Sequence, residues 1–264
     1  MRQPVLKSLV VAMLAISALA AHAANGPVTS NVITGSGIGN NDFTVNTTNN
    51  IQIGLRARER YGNPVGGVFS PTDNTYNGGT NTYNHAAGGF AAIPFTANGL
   101  AGGPRASWNF DFSINTAPTL SGGPNLGAYT YLLSLDTDAT AAINYTGSSF
   151  NPVTSLPDNS YGNNSTGQGL GTEPGGVNTN ASLIAGNNLV QNSYNYAFLF
   201  PLFNPNTNGT YTIMLQAFSS DGEDLLASSL INVNVGVAAV PEPGSMALVG
   251  LALAGLAVVR RRKV

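Results

Sequence analysis

Ala106-Ser107-Trp108-Asn109-Phe110-Asp111-Phe112-Ser113-Ile114 alternates apolar and polar side chains without a break. In an extended chain Ala106, Trp108, Phe110, Phe112 and Ile114 fall on one side, and Ser107, Asn109, Asp111 and Ser113 on the other, because successive side chains of a strand alternate. That pattern is a strand with one buried face. The same period recurs in the apolar sets Ile51/Ile53/Leu55/Ala57, Tyr129/Tyr131/Leu133/Leu135, Tyr211/Ile213/Leu215/Ala217 and Ile231/Val233/Val235. Further strands are expected near Phe43 to Thr47, Ala139 to Tyr145 and Tyr194 to Phe200. Asn208-Gly209 and Asp221-Gly222 accept the positive φ of tight hairpins, so the last three elements read as an antiparallel meander.

Half-apolar strands need a second sheet to cover them. The expectation is an all-β chain, an antiparallel β-sandwich of jelly-roll or immunoglobulin-like kind, in one domain from residue 24 to 240. That region holds 32 Asn together with much Gly, Ser and Thr, which leaves few helix formers and makes helix unexpected within it. Gly62 to Gly89 and Gly147 to Asn192 read as long surface loops, the second partly disordered or carrying a short extra hairpin.

Only 8% of the 264 residues are charged, about a third of the usual share. Six of the 10 Lys+Arg crowd the two ends. Between Ala24 and Val240 four cations, Arg56, Arg58, Arg60 and Arg105, face eleven acids, so the middle carries 4 minus 11, or minus 7. A basic nucleic-acid binder is excluded. Cysteine is absent and no lysine lies in the middle, which removes disulfides, thiolate chemistry and Schiff-base catalysis there.

The ends are addresses. Arg2 and Lys7 precede an apolar run from Leu9 to Ala20, broken only by Ser17, and Ala21-His22-Ala23 supplies the small residues that signal peptidase accepts. Residues 1–23 therefore read as a secretory signal peptide cut after Ala23. At the other end Pro241-Glu242-Pro243 leads into Met246 to Val259, a run without a polar side chain, and then Arg260-Arg261-Arg262-Lys263. A helix over Gly244 to Val259 reaches about 24 Å, short of a hydrocarbon core of about 30 Å, so it spans the inner membrane only in transit. The four cations hold that end in the cytoplasm.

The order of Pro-Glu-Pro, short apolar helix and Arg-rich end resembles the PEP-CTERM sorting signal of Gram-negative bacteria, residue by residue at Pro241, Glu242 and Pro243, with Arg260 to Lys263 as the basic stop. The resemblance covers residues 241–264 and implies processing by an exosortase near the Pro-Glu-Pro site, with the catalytic residues belonging to that partner. It implies nothing about residues 24–240.

Chemistry in the exported region is sparse. His85 is its one histidine, in the Gly-rich stretch Tyr83 to Gly89, and reads as a solvated loop residue. Calcium would take oxygen ligands from Asp136 and Asp138 or from the turn Asp221, Glu223 and Asp224, both of which otherwise read as solvated turns. Arg56, Arg58 and Arg60 alternate along one strand. They form either a patch for an acidic glycan or a charged face paired with the acids. The sequence thus points to an exported, exosortase-processed protein of the cell surface or extracellular matrix, biofilm and polysaccharide included, with a structural or adhesive β-domain and no enzymatic activity or cofactor. The alternatives are a calcium-dependent carbohydrate-binding module and, third, a secreted glycoside hydrolase.

Overall fold

The computed structural model describes residues 24–34, 42–59, 81–85, 106, 108–119, 122–175, 180–196 and 207–236. Their strands are β1 (Ala24–Gly26), β2 (Phe43–Thr48), β3 (Ile51–Glu59), β4 (Thr82–His85), β5 (Trp108–Asn115), β6 (Thr130–Leu135), β7 (Ser149–Phe150), β8 (Ser160–Gly162), β9 (Leu189–Asn195), β10 (Gly209–Phe218) and β11 (Leu225–Val235). They form a sheet in the order β1-β2-β3-β5-β9-β8 and a second in the order β4-β11-β10-β6-β7. Ile53, Leu55, Phe110, Phe112 and Ile114 from the first pack in one apolar cluster with Leu133, Leu135, Ile213, Leu215, Ile231 and Val233 from the second. Period-two alternation puts these residues on the inner faces.

Local chemistry sets the joints. Asn49 and Asn50 both adopt positive φ, 52° and 57°, between the paired ends Thr48 and Ile51, the backbone that a two-residue hairpin requires. Gly222 at φ 78° serves the β10–β11 turn. β4 covers only Asn232 to Val235 of β11. Over the rest, Asn46 Nδ2 donates to the Ser228 carbonyl at 2.7 Å, Asn49 Nδ2 donates to that of Leu226 at 2.9 Å, and Ser229 Oγ donates to Thr44 O at 2.8 Å. Side-chain amides here replace a neighbouring strand and join the two sheets along one side.

The outer face of the six-stranded sheet is polar yet buried. Residues 27–34 lie against it: Gln52 Oε1 accepts from Thr29 N at 2.9 Å, Gln191 Oε1 accepts from Val32 N at 2.7 Å, and Gln191 Nε2 donates to Ser30 O at 2.6 Å. From the other side Gly169 N and Gly171 N donate to Asn31 O and Val32 O, both at 3.0 Å. Val28, Ile33 and Phe43 form a second small apolar cluster under this strap.

Several expectations are corrected. Ala139 to Tyr145 is not a strand: the Asp138, Thr140 and Asn144 side chains each accept from the amide two residues on, which competes with a sheet ladder. β9 starts at Leu189, earlier than Tyr194, and lies in the other sheet from β10 and β11, so the last three elements are no meander; only β10 and β11 form the hairpin. Pairing of β4 with β11 is parallel, which makes the second sheet mixed. Gly147 to Asn192 carries β7, β8, the start of β9 and two short helices, Pro152–Ser155 and Asn180–Gly186. The first helix follows from Asn151, whose side chain accepts from Val153 N, and from Pro152 in its first turn. The second gathers Ala181, Leu183, Ile184 and Ala185, a local run of helix formers inside an Asn-rich region. Of Gly62 to Gly89, residues 81–85 form the whole of β4 and its approach, and the remainder lies outside the described residues, as do residues 1–23 and 237–264. No helix among the described residues is long and apolar enough to cross a membrane.

Candidate functional site

Arg56 and Arg58 point from β3 to the buried outer face, where β5 sets Asp111 opposite Arg56. Arg56 Nε donates to Asp111 Oδ2 at 2.6 Å, and Arg58 Nε lies 3.1 Å from the same oxygen. Arg58 also donates to Ser193 Oγ at 3.0 Å, and the Arg56 guanidinium stacks 4.2 Å from the centroid of Phe43. Burial pushes the Asp111 carboxyl up, but the charges of Arg56 and Arg58 and a hydrogen bond with Ser193 prevail and hold it below the usual carboxylate range. Arg56 is 0% exposed and Arg58 2%, so these two arginines do not form a surface for an acidic glycan. Arg60 and Arg105 lie outside the described residues.

The two acidic groups stand at opposite ends of the β6–β10 ladder. Asp136 follows Leu135, opposite the start of β10, whereas Asp221, Glu223 and Asp224 follow Phe218. Six residues of strand separate Thr212 from Phe218, about 20 Å. Asp136 Oδ1 accepts from Asp138 N at 3.0 Å and from Asn144 N at 3.1 Å. Burial raises its carboxyl above the usual value, against the lowering effect of those amides. Asp221 Oδ1 accepts from Glu223 N, and Ser219 Oγ accepts from Asp224 N, in an exposed turn. Among the described residues no three of His, Cys, Asp and Glu gather where an ion could be held, so the two groups do not converge on one calcium.

His85 is no solvated loop residue. It ends β4, is 5% exposed and stacks on Trp108 with ring centroids 6.0 Å apart. Burial lowers its pKa to about 3, which keeps the imidazole neutral. Trp108 in turn lies 5.0 Å from Tyr196 and 6.0 Å from Tyr211, so these aromatics are core.

The built feature that sequence reading misses is a cleft of about 490 Å³ where three connections meet. Gly122, Gly123 and Asn125 form one wall, the turn Asn163, Asn164 and Ser165 the second, and the helix end Gly186, Asn187 and Asn188 the third. Fully buried Asn115, the last residue of β5, ties them together. Its Nδ2 donates to Asn164 Oδ1 at 2.7 Å, and its Oδ1 accepts from Asn188 Nδ2 at 2.8 Å and from Ala117 N at 3.0 Å. Backbone bonds lock the outer walls: Leu126 N donates to Asn187 O at 2.9 Å and Thr116 N to Asn188 O at 2.8 Å. Among the described residues no charged or aromatic side chain lines the cleft. The one signal in the sequence is the pair of doublets Asn163-Asn164 and Asn187-Asn188 at strand ends, hidden among so many other asparagines.

Against known proteins, the family model of the PEP-CTERM protein-sorting motif matches residues 239–263, so the chain carries that motif at its C-terminus. No curated protein and no solved structure matches the chain.

Proposed function

We propose that this is an exosortase-processed protein whose β-domain serves a structural or adhesive role at the cell surface or in the extracellular matrix, not an enzyme. The observation that carries the reading is the sorting motif at residues 239–263, which marks the chain for export and processing at the membrane. Its position supports the reading: β11 ends at Val235, so the Pro-Glu-Pro site follows the folded domain within a few residues. Signal peptidase acting after Ala23 would leave Ala24 to open β1, paired with Val45, so removal of the leader spares the sheet. The chain passes between the sheets at β3→β4, β4→β5, β5→β6, β7→β8 and β9→β10. That repeated crossing is the support for reading the sandwich as jelly-roll or immunoglobulin-like in kind.

Replacement of Pro241, Glu242 and Pro243 by alanine tests the processing step. The variant is expected to keep its C-terminal tail and remain with the inner membrane, while the native chain loses it. Equal tail loss in both would overturn the reading.

A further inference from the structure

We infer that the asparagine-walled cleft is a binding site for a neutral, hydroxyl-rich glycan. Four of its carboxamides are pinned at one end and open at the other. Asn125 Nδ2 donates to Ala185 O, Asn187 Nδ2 donates to Leu183 O at 2.8 Å, and Asn188 Nδ2 donates to Asn115 Oδ1 at 2.8 Å. Their Oδ1 atoms have no partner among the described residues. Asn163 is pinned the other way, its Oδ1 accepting from Ser165 N at 2.9 Å and Ser165 Oγ at 2.6 Å, which leaves Nδ2 open. Asn125 and Asn163 are exposed and Asn187 and Asn188 are half-buried with no buried unsatisfied atom, so the open ends remain available to a ligand. The cleft thus presents three acceptors and one donor, oriented before any ligand arrives.

That inventory selects the ligand chemically. Carboxylates, sulfates and phosphates only accept hydrogen bonds and meet three oxygens with no cation among the lining residues. A divalent cation finds carbonyl oxygens but no carboxylate to balance its charge. A sugar hydroxyl both donates and accepts, so a run of ring hydroxyls satisfies all four carboxamides. The volume lies within the range of about 300–1,000 Å³ of small-molecule sites. Without an aromatic platform the affinity per site is low, as suits a module that meets a repeating polymer at many places.

The inference rests on the adhesive reading of the domain but not on its sorting, because binding is measured on the purified full chain in detergent. Fluorescent cellohexaose, maltohexaose and mannohexaose are titrated, with hexagalacturonate as the anionic counterpart. At least one neutral hexasaccharide is expected to bind with Kd under about 1 mM, and hexagalacturonate at least tenfold more weakly. Two variants locate the site. Gly186 has negative φ and nothing within 4 Å of an added Cβ, so Gly186→Trp fills the cleft without strain. Asn163→Asp keeps the acceptor that Ser165 uses and removes the open donor. Each is expected to weaken binding about tenfold at an unchanged unfolding midpoint. No binding of any neutral probe at about 5 mM, equal or tighter binding of hexagalacturonate, or native affinity in both variants would overturn the assignment. Tight binding of hexagalacturonate alone would leave an adhesive domain standing and remove only the neutral-glycan cleft.

Discussion

At Asp111, burial and charge pull in opposite directions, and charge prevails. Two guanidiniums share one carboxylate inside the protein, so its removal is costly: Asp111→Asn is expected to destabilise the fold by about 3–5 kcal/mol in denaturant unfolding. A depressed carboxyl contributes stability above its unfolded value of 3.8 and loses it as pH falls through the lower folded value. His85 acts in a different window. Its folded pKa of about 3 lies below its unfolded 6.5, so between these values the unfolded chain takes up a proton that the fold refuses. Stability is therefore full above about pH 6.5 and falls by about 1.4 kcal/mol per unit beneath it. His85→Gln is expected to flatten the slope between pH 4 and 6.5 while leaving the steeper loss below 3.8, read from thermal midpoints across pH. An unchanged slope would mean that His85 is protonated in the fold.

At the scale of elements, the strap formed by residues 27–34 is held at its centre by Gln191. Gln191 meets Val32 N, Ser30 O and Ser113 Oγ, the last at 2.9 Å. Gln191→Ala leaves those groups without their partner, at about 1–3 kcal/mol. Amide exchange of residues 29–33 is expected to accelerate while that of β10 and β11 stays slow; uniform acceleration would show that the strap and the sandwich open together. The inner face of the sheets is legible in the sequence because the alternation from Trp108 to Ile114 picks out the side chains that enter the shared apolar core. Its other face is not. Alternation cannot distinguish polar residues in water from polar residues beneath another segment, so Arg56 and Arg58 leave both a surface patch and a paired face open. Ala139 to Tyr145 misleads for a related reason: its spacing suits a strand, but the oxygens of Asp138, Thr140 and Asn144 capture the backbone amides locally. The cleft is illegible because its four open carboxamides come from three connections far apart in sequence, brought together by Asn115.

At the scale of the whole molecule, the chain is a two-sheet domain with an address beyond its last strand. β11 is interior to its sheet, held by β10 along its length and by β4 over Asn232 to Val235, so the tail leaves from a well-anchored element. The short outermost strands β1, β4, β7 and β8 and the amides of Asn46 and Asn49 along β11 limit edge pairing with other copies. The expectation is a domain that stays soluble once released from its tail, checked by sedimentation of the processed form.

Intact mass combined with fractionation, in the native host with and without its exosortase, separates a processed and released chain from one retained in the membrane. The expected product is a mature chain running from Ala24 to the region of Pro241-Glu242-Pro243, found outside the inner membrane only when the exosortase is present. A chain that ends at Val264 in the inner membrane of both strains would contradict it.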